Sequence, residues 1–240
     1  MNALWLERMT SYKNSSFALE TARVIIELKI NQRSNLLKKY HQPTFDAVYS
    51  ATSIDQLLLY EARAAKHFWS RYKKLLPVWT NFAGRKPRDK DVVNGLLDIG
   101  YHHLSNKVSN LLEEKNVTPA PALIHVAQSA KSKPLVYDLM EIFRADLIDS
   151  ELLRYLRLKK KPIALVTDEH VAHFLHEINE RLDRRHYLRD FKQCQTYHYY
   201  MDLQITKFIK AVNHGGVYEP LHLPSRHDSR CACKNINYVS

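Results

Sequence analysis

Apolar residues recur three and four positions apart through most of this chain, and little in it breaks that rhythm. Only 5 glycines occur among 240 residues, and alternating β-branched stretches are scarce. Such a pattern favours stacked amphipathic helices. The spacing predicts a first helix over about residues 16–40, with Leu19, Ala22, Ile26, Ile30 and Leu37 among its apolar positions. Pro43, in "HQPTFDA", disfavours its continuation. A second helix is expected over about residues 53–75 and a third over about 91–114, separated by the basic loop "NFAGRKPRDKD". Next, "NVTPAPALIH" delivers His125, "VAQSAKSKP" reads as a loop, and "LVYDLMEIFRADLI" reads as a very apolar helix. Thr167 suits the N-cap of a helix whose first turn holds Asp168 and Glu169. A last helix is expected over about residues 187–212, stopping at "NHGG". The fold class that follows is all-α. One helical domain covers 16–221, after a lead-in over 1–15 and before an irregular tail over 222–240.

Within the second helix, "LLLYEARAAKHFW" sets Glu61 on the side shared by Leu57, Leu58, Ala64, Ala65 and Phe68. A carboxylate there loses hydration, so it is paired, protonated or bound to a cation. Ala62, Ala64 and Ala65 leave room for another backbone to come close. The helix after Pro134 repeats the problem. Asp138 and Glu141 share a face among apolar neighbours, and His125 lies one loop upstream. Arg144 or Arg154 would pair with those carboxylates, and a hydrogen-bonded core position would account for His125. Equally, Glu61, His125, Asp138 and Glu141 together offer the oxygen and imidazole donors that suit Mg2+ or Mn2+. Periodicity does not show whether the three segments meet.

Charge adds a second constraint. Thirty-six basic residues against 25 acidic ones give a formal net charge of +11, a field that favours polyanions, chiefly nucleic acid. No apolar run is long enough to span a bilayer and no signal-peptide pattern opens the chain, so an internal, cytoplasmic compartment is the default. The cysteines Cys194, Cys231 and Cys233 make no disulfide framework, and the spacing of His227 to the Cys-x-Cys pair matches no common zinc pattern.

The segments "YEARAAKHFW", "DKDVVNGLLDIGYHHL", "PALIHVAQ…KPLVYDLMEIFRADLID" and "ALVTDEHVAHFL" occur in an order that resembles the helical domain of the CRISPR-associated integrase of spacer acquisition (Cas-one). "ALETARVIIELKINQRSNLL" is similar to that domain's first helix, so the resemblance runs from about Ala18 to Leu221. It implies an all-α catalytic domain of a metal-dependent DNA endonuclease and integrase. By that resemblance Glu61, His125 and Glu141 are the catalytic metal ligands, with Asp138 as the adjacent acidic residue and Mg2+ or Mn2+ as the cofactor. The implied reaction is transesterification, in which a DNA 3′-hydroxyl attacks a phosphodiester at the edge of a CRISPR repeat; the same site reverses that step and cleaves branched DNA. Arg85, Lys86, Arg88, Tyr101, Lys131, Lys133 and Arg144 become candidates for DNA contact, and Tyr101 and Asn94 match family positions near the site. The implied partners are branched, repeat and spacer-precursor DNA, the Cas-two subunit, and a second copy of the chain. Family members usually begin with a β-rich domain that serves dimerisation and Cas-two docking, and no counterpart of it is read here. The departures "KDVVN", lacking the usual proline, and "KNVTPAPALIH", lacking the usual glycine, remove none of the ligands.

Two other functions fit parts of the sequence. A non-catalytic helical DNA-binding or assembly subunit would keep the fold without turnover. A metal-independent helical ribonuclease would use Arg181 and His186, whose spacing in "RLDRRH" matches an Arg-x4-His arrangement suited to acid–base work on a ribose 2′-hydroxyl.

Overall fold

The computed structural model describes residues 3–13, 15–37, 48, 50–125, 129 and 132–222. Its helices are α1 (Ala3–Ser11), α2 (Ser16–Leu36), α3 (Ile54–Leu75), α4 (Val92–Glu114), α5 (Pro134–Phe143), α6 (Ser150–Leu158), α7 (Asp168–Asp183) and α8 (Tyr197–His214). Their starts follow from local chemistry. Ser15, Ser53, Asp91, Thr167 and Thr196 each accept a backbone N–H from the first turn that follows. Pro134 opens α5, where its missing N–H and fixed φ cost nothing. Gly215, at φ 66°, closes α8 in the left-handed conformation that the sequence stop predicts.

Helix α5 is the hub. Apart from Tyr137 all of its residues are buried, and it packs against α2 and α4. It runs without interruption into a π-helical segment, Arg144–Asp149, and then into α6. That wider segment packs against α2, α4, α6 and α7, so it carries side chains from the hub toward four helices. Gly100 of α4 makes this approach possible: a Cβ there would stand 2.7 Å from Ile148 Cγ2.

Three parts of the sequence reading need correction. The expected lead-in contains α1, whose Trp5 and Met9 are buried and whose Trp5 ring packs edge-on against Phe208 of α8. The expected start of the last helix is instead an antiparallel hairpin, β1 (Arg185–Leu188) with β2 (Gln193–Thr196). Lys192 turns that hairpin with a positive φ of 51°, where a glycine or asparagine would have announced it. Cys194, in β2, is disulfide-bonded, whereas the sequence reading expects no disulfide framework. Among the described residues no helix is long and apolar enough to cross a membrane.

Candidate functional site

Helix α2 contributes what the sequence reading missed. Lys29 and Arg33 lie one turn apart on the same stripe as Ala22 and Ile26, and both are buried. Buried cations at helical spacing pose the same question as Glu61, and their signal was of the same kind. Across the α2–α3 contact, Lys29 Nζ stands 2.7 Å from Glu61 Oε1; across the α2–α5 contact it stands 2.8 Å from Glu141 Oε2. One ammonium therefore bridges the two carboxylates. Arg33 approaches Glu61 at 3.8 Å and Asp149 at 3.8 Å, while its guanidinium lies over the rings of Phe68 and Trp69.

The opposite side of Glu141 is closed by Arg144, which pairs with Oε1 and stacks 3.9 Å above the Tyr101 ring. Burial pushes the Glu141 carboxyl up, but Arg144, Lys29 and Arg33 outweigh it and hold the group well below the usual carboxylate range. Asp149, at the end of the π-helical segment, is fully buried. Its Oδ1 accepts from the Tyr101 hydroxyl at 2.5 Å, and its carbonyl accepts from the Tyr72 hydroxyl at 2.7 Å. Burial raises the Asp149 carboxyl, with Arg33, the Tyr101 hydroxyl and Arg144 pulling the other way. Burial and then the Asp149 charge raise the Tyr101 phenol, so it keeps its proton and donates. Glu61, Glu141 and Asp149 thus face Lys29, Arg33 and Arg144, a charge-balanced cluster.

Asp138 does different work. It is fully buried; Oδ2 accepts the backbone N–H groups of Leu123 and Ile124 at 2.7 and 3.0 Å, and Oδ1 accepts that of His125 at 3.0 Å. Oδ1 also lies 2.7 Å from His125 Nδ1. With two donors on each oxygen, Asp138 is placed to pin the 123–125 turn and orient the imidazole rather than to reach a metal itself. The hydrogen bond to Asp138 is the main reason the His125 pKa is raised, against a smaller opposing effect of burial. Nδ1 being taken, Nε2 is the nitrogen left for a ligand. His125 is near enough to Glu141 and Lys29 to feel both charges.

The donor types around Lys29 fit a hard divalent cation: two carboxylates aimed at one point and an imidazole oriented by a buried aspartate. The geometry is not that of a closed coordination sphere. Among the described residues no group of three or more His, Cys, Asp or Glu side chains is placed to hold a metal ion. The Lys29 ammonium takes the shared position instead.

Several expected DNA contacts are relocated. Tyr101 is buried with its hydroxyl on Asp149, so it supports the cluster from beneath. Arg85 lies inward, bonded to Asn94 at 3.0 Å and to Asp98, with its guanidinium 5.4 Å from the Tyr101 ring centre; it fastens the basic loop to α4. Arg144 is committed to Glu141 and Tyr101. Lys86 and Arg88 are exposed. Lys133 is half-exposed and holds Ser109 at 2.7 Å and Glu113 at 3.2 Å. Lys131 and the cysteines of the tail, with His227, lie outside the described residues.

The Arg-x4-His match does not form a ribonuclease site. Arg181 and His186 are both buried, and Arg181 Nη1 donates to His186 Nε2 at 2.9 Å while Nη2 reaches Asp146 at 3.0 Å. Burial first, then the charges of Arg181 and Arg184, push His186 down to about 4. An imidazole so placed meets no ribose.

The chain is 30% identical over 147 residues to CRISPR-associated endonuclease Cas1 1 of Archaeoglobus fulgidus, covering 55% of this chain and 42% of the relative. It is 28% identical over 166 residues to CRISPR-associated endonuclease Cas1 1 of Saccharolobus solfataricus, covering 62% and 46%. The matched part thus spans less than half of either relative. Among solved structures the fold is similar to that of TM1797, a Cas1 protein from Thermotoga maritima, with a TM-score of 0.78 at 17% identity, covering 91% of this chain and 74% of that one. A casposase bound to integration product is similar to the same degree, with a TM-score of 0.78 at 17% identity over 94% of this chain and 71% of that one. The family model for CRISPR associated protein Cas1 matches residues 2–177, and the chain belongs to that family.

Proposed function

We propose that this chain carries the catalytic helical domain of a divalent-metal-dependent DNA endonuclease/integrase of CRISPR spacer acquisition, joining DNA 3′-hydroxyl ends to repeat phosphodiesters by transesterification. The observation that supports it best is the convergence of Glu61 from α3 and Glu141 from α5 on one cation position, next to His125 held by Asp138. Mg2+ or Mn2+ bound there would neutralise phosphate charge and align the attacking hydroxyl with the scissile bond. Glu61, Glu141 and His125 Nε2 would hold it. Asp138 fixes the imidazole tautomer, Arg144 keeps Glu141 ionised, and Tyr101 with Asp149 anchors the underside of the cluster. Lys86 and Arg88 on the exposed loop, together with the excess of basic residues, favour a DNA backbone as the bound polyanion.

A structural neighbour is a Cas6-RT-Cas1–Cas2 complex, similar to this chain with a TM-score of 0.73 at 21% identity. By that likeness we extend the proposal to a Cas2 partner for the assembled integrase. One observation favours a second reading. Lys29 already bridges both carboxylates, with Arg33 and Arg144 completing the charge balance, and a site locked in that state would make the chain a DNA-binding or assembly subunit.

The test is strand transfer and cleavage on branched and repeat-containing DNA with Mn2+, Mg2+ or EDTA, comparing the native chain with Glu61→Gln and Glu141→Gln. Metal-dependent products lost in both variants are expected. Products that persist in EDTA, or in both variants, would overturn the catalytic reading, and DNA binding without metal-dependent products would favour the second.

A further inference from the structure

We propose that Lys29 is a placeholder cation: its ammonium holds Glu61 and Glu141 together while no metal is bound, and it gives up that position when a divalent cation enters. The inference rests on the metal reading above and concerns a residue that reading does not use.

Three observations carry it. The ammonium lies 2.7 and 2.8 Å from one oxygen of each carboxylate, so both oxygens already point at a single centre of positive charge. Metal–oxygen bonds of about 2.0–2.6 Å require the same two oxygens to draw in a little around that same centre, which leaves no room for the ammonium.

The charge balance points the same way. Glu61, Glu141 and Asp149 are matched by Lys29, Arg33 and Arg144. A dication added to that set would leave two uncompensated charges in a site whose carboxylates are largely buried. Exchanging Lys29 for the dication leaves one, which a single phosphodiester cancels.

The third observation is which cation is free to move. Arg33 is held over Phe68 and Trp69, and Arg144 over Tyr101. Lys29 has no aromatic contact among the described residues, and it carries its charge at the end of a flexible four-carbon stem. Of the three cations it is the one whose departure dismantles least.

The test combines direct Mn2+ titration of the native chain, Lys29→Met and Glu61→Gln with amine labelling of native Lys29, by reductive methylation and mass spectrometry, in EDTA and in Mg2+. Lys29 should be protected in EDTA and become reactive in Mg2+. Lys29→Met should bind Mn2+ at least tenfold more tightly than the native chain, and it should melt lower in EDTA with recovery in Mn2+. Should Glu61-dependent Mn2+ binding occur while Lys29 stays protected and Lys29→Met gains no affinity, the placeholder idea falls and the metal site stands. Absence of Glu61-dependent binding in both the native chain and Lys29→Met removes the metal reading and this inference together, leaving Lys29 as a permanent ion pair. The labelling arm uses the native chain, so it decides the matter even where Lys29→Met folds poorly.

Discussion

Gly95 and Gly100 both lie within α4, and alanine at each is expected to act in opposite directions. In a helix interior, alanine is favoured over glycine by about 0.5–1 kcal/mol, because it restricts the unfolded chain. At Gly95 nothing opposes that gain, since the nearest atom to an added Cβ is Val166 Cγ2 at 4.0 Å, an ordinary contact. At Gly100 the added Cβ would lie 2.7 Å from Ile148 Cγ2 and 3.2 Å from Phe174 Cε1. Ile148 and Phe174 are fully buried, and Ile148 is β-branched within the π-helical segment, so neither can swing aside cheaply. Overpacking of this kind costs about 1–3 kcal/mol, which cancels the alanine gain and leaves a net loss of up to about 2 kcal/mol.

Urea denaturation of the two single variants measures the difference directly. Gly95→Ala should raise stability by about 0.5–1 kcal/mol, and Gly100→Ala should fall below it by about 1–3 kcal/mol. In thermal melts of a chain this size each kcal/mol corresponds to a shift of about 2–4 °C. Ile148 precedes Asp149, so the strain at Gly100 enters the candidate site as well. Equal stabilisation by both alanines would refute the close crossing of α4 with the π-helical segment, and with it the placement of Asp149 under Tyr101.

Other outcomes follow from single contacts. Tyr101→Phe keeps the ring beneath Arg144 but strips the hydroxyl from buried Asp149, so a loss of about 1–3 kcal/mol is expected in the same denaturation assay. Asp138→Asn weakens the hydrogen bond that chiefly raises the His125 pKa and removes the Asp138 charge that adds to it, so a nitrogen-resolved NMR titration should find His125 titrating at lower pH than in the native chain. His186 is buried with a folded pKa depressed to about 4, so its neutral form stabilises the fold above the unfolded value of 6.5. That contribution is lost as pH falls from 6.5 toward 4, and it amounts to about 3 kcal/mol at most. His186→Gln still offers Arg181 an acceptor and should flatten this part of the stability–pH profile; an unchanged profile would count against a neutral buried imidazole.

Helix faces were legible in this sequence because burial at helical spacing is a local property. Thr167 and the stop at Gly215 read correctly, since a cap needs only its own turn. The hairpin did not, because Lys192 gives no turn signal and the pairing of His186 with Gln195 is a contact that periodicity does not encode. The Arg181–His186 spacing misled for the complementary reason. Two residues that match a catalytic interval on paper are, in the fold, a buried donor at the end of α7 and a buried acceptor on the first strand of that hairpin.

The candidate site divides in the same way. Glu61, Glu141 and Asp138 each stood out as a carboxylate on an apolar face, yet the three end differently: two aimed at a shared cation position, one wrapped in backbone amides. Nothing in their spacing separates these fates, because a buried carboxylate must be compensated and the sequence does not say by what. Lys29 and Arg33 supply the missing term, and they show that compensation within the chain is already complete. A metal proposed for this position would therefore have to win against an internal cation rather than fill an uncompensated gap. On the placeholder proposal its affinity would be set by how readily Lys29 can be released and re-solvated, and less by how strongly two carboxylates attract a dication. The same competition makes a DNA phosphate, as a new partner for the displaced ammonium, a natural promoter of metal entry: Mn2+ affinity should rise when a short DNA duplex is present, and the gain should shrink in Lys29→Met, where no ammonium remains to be moved.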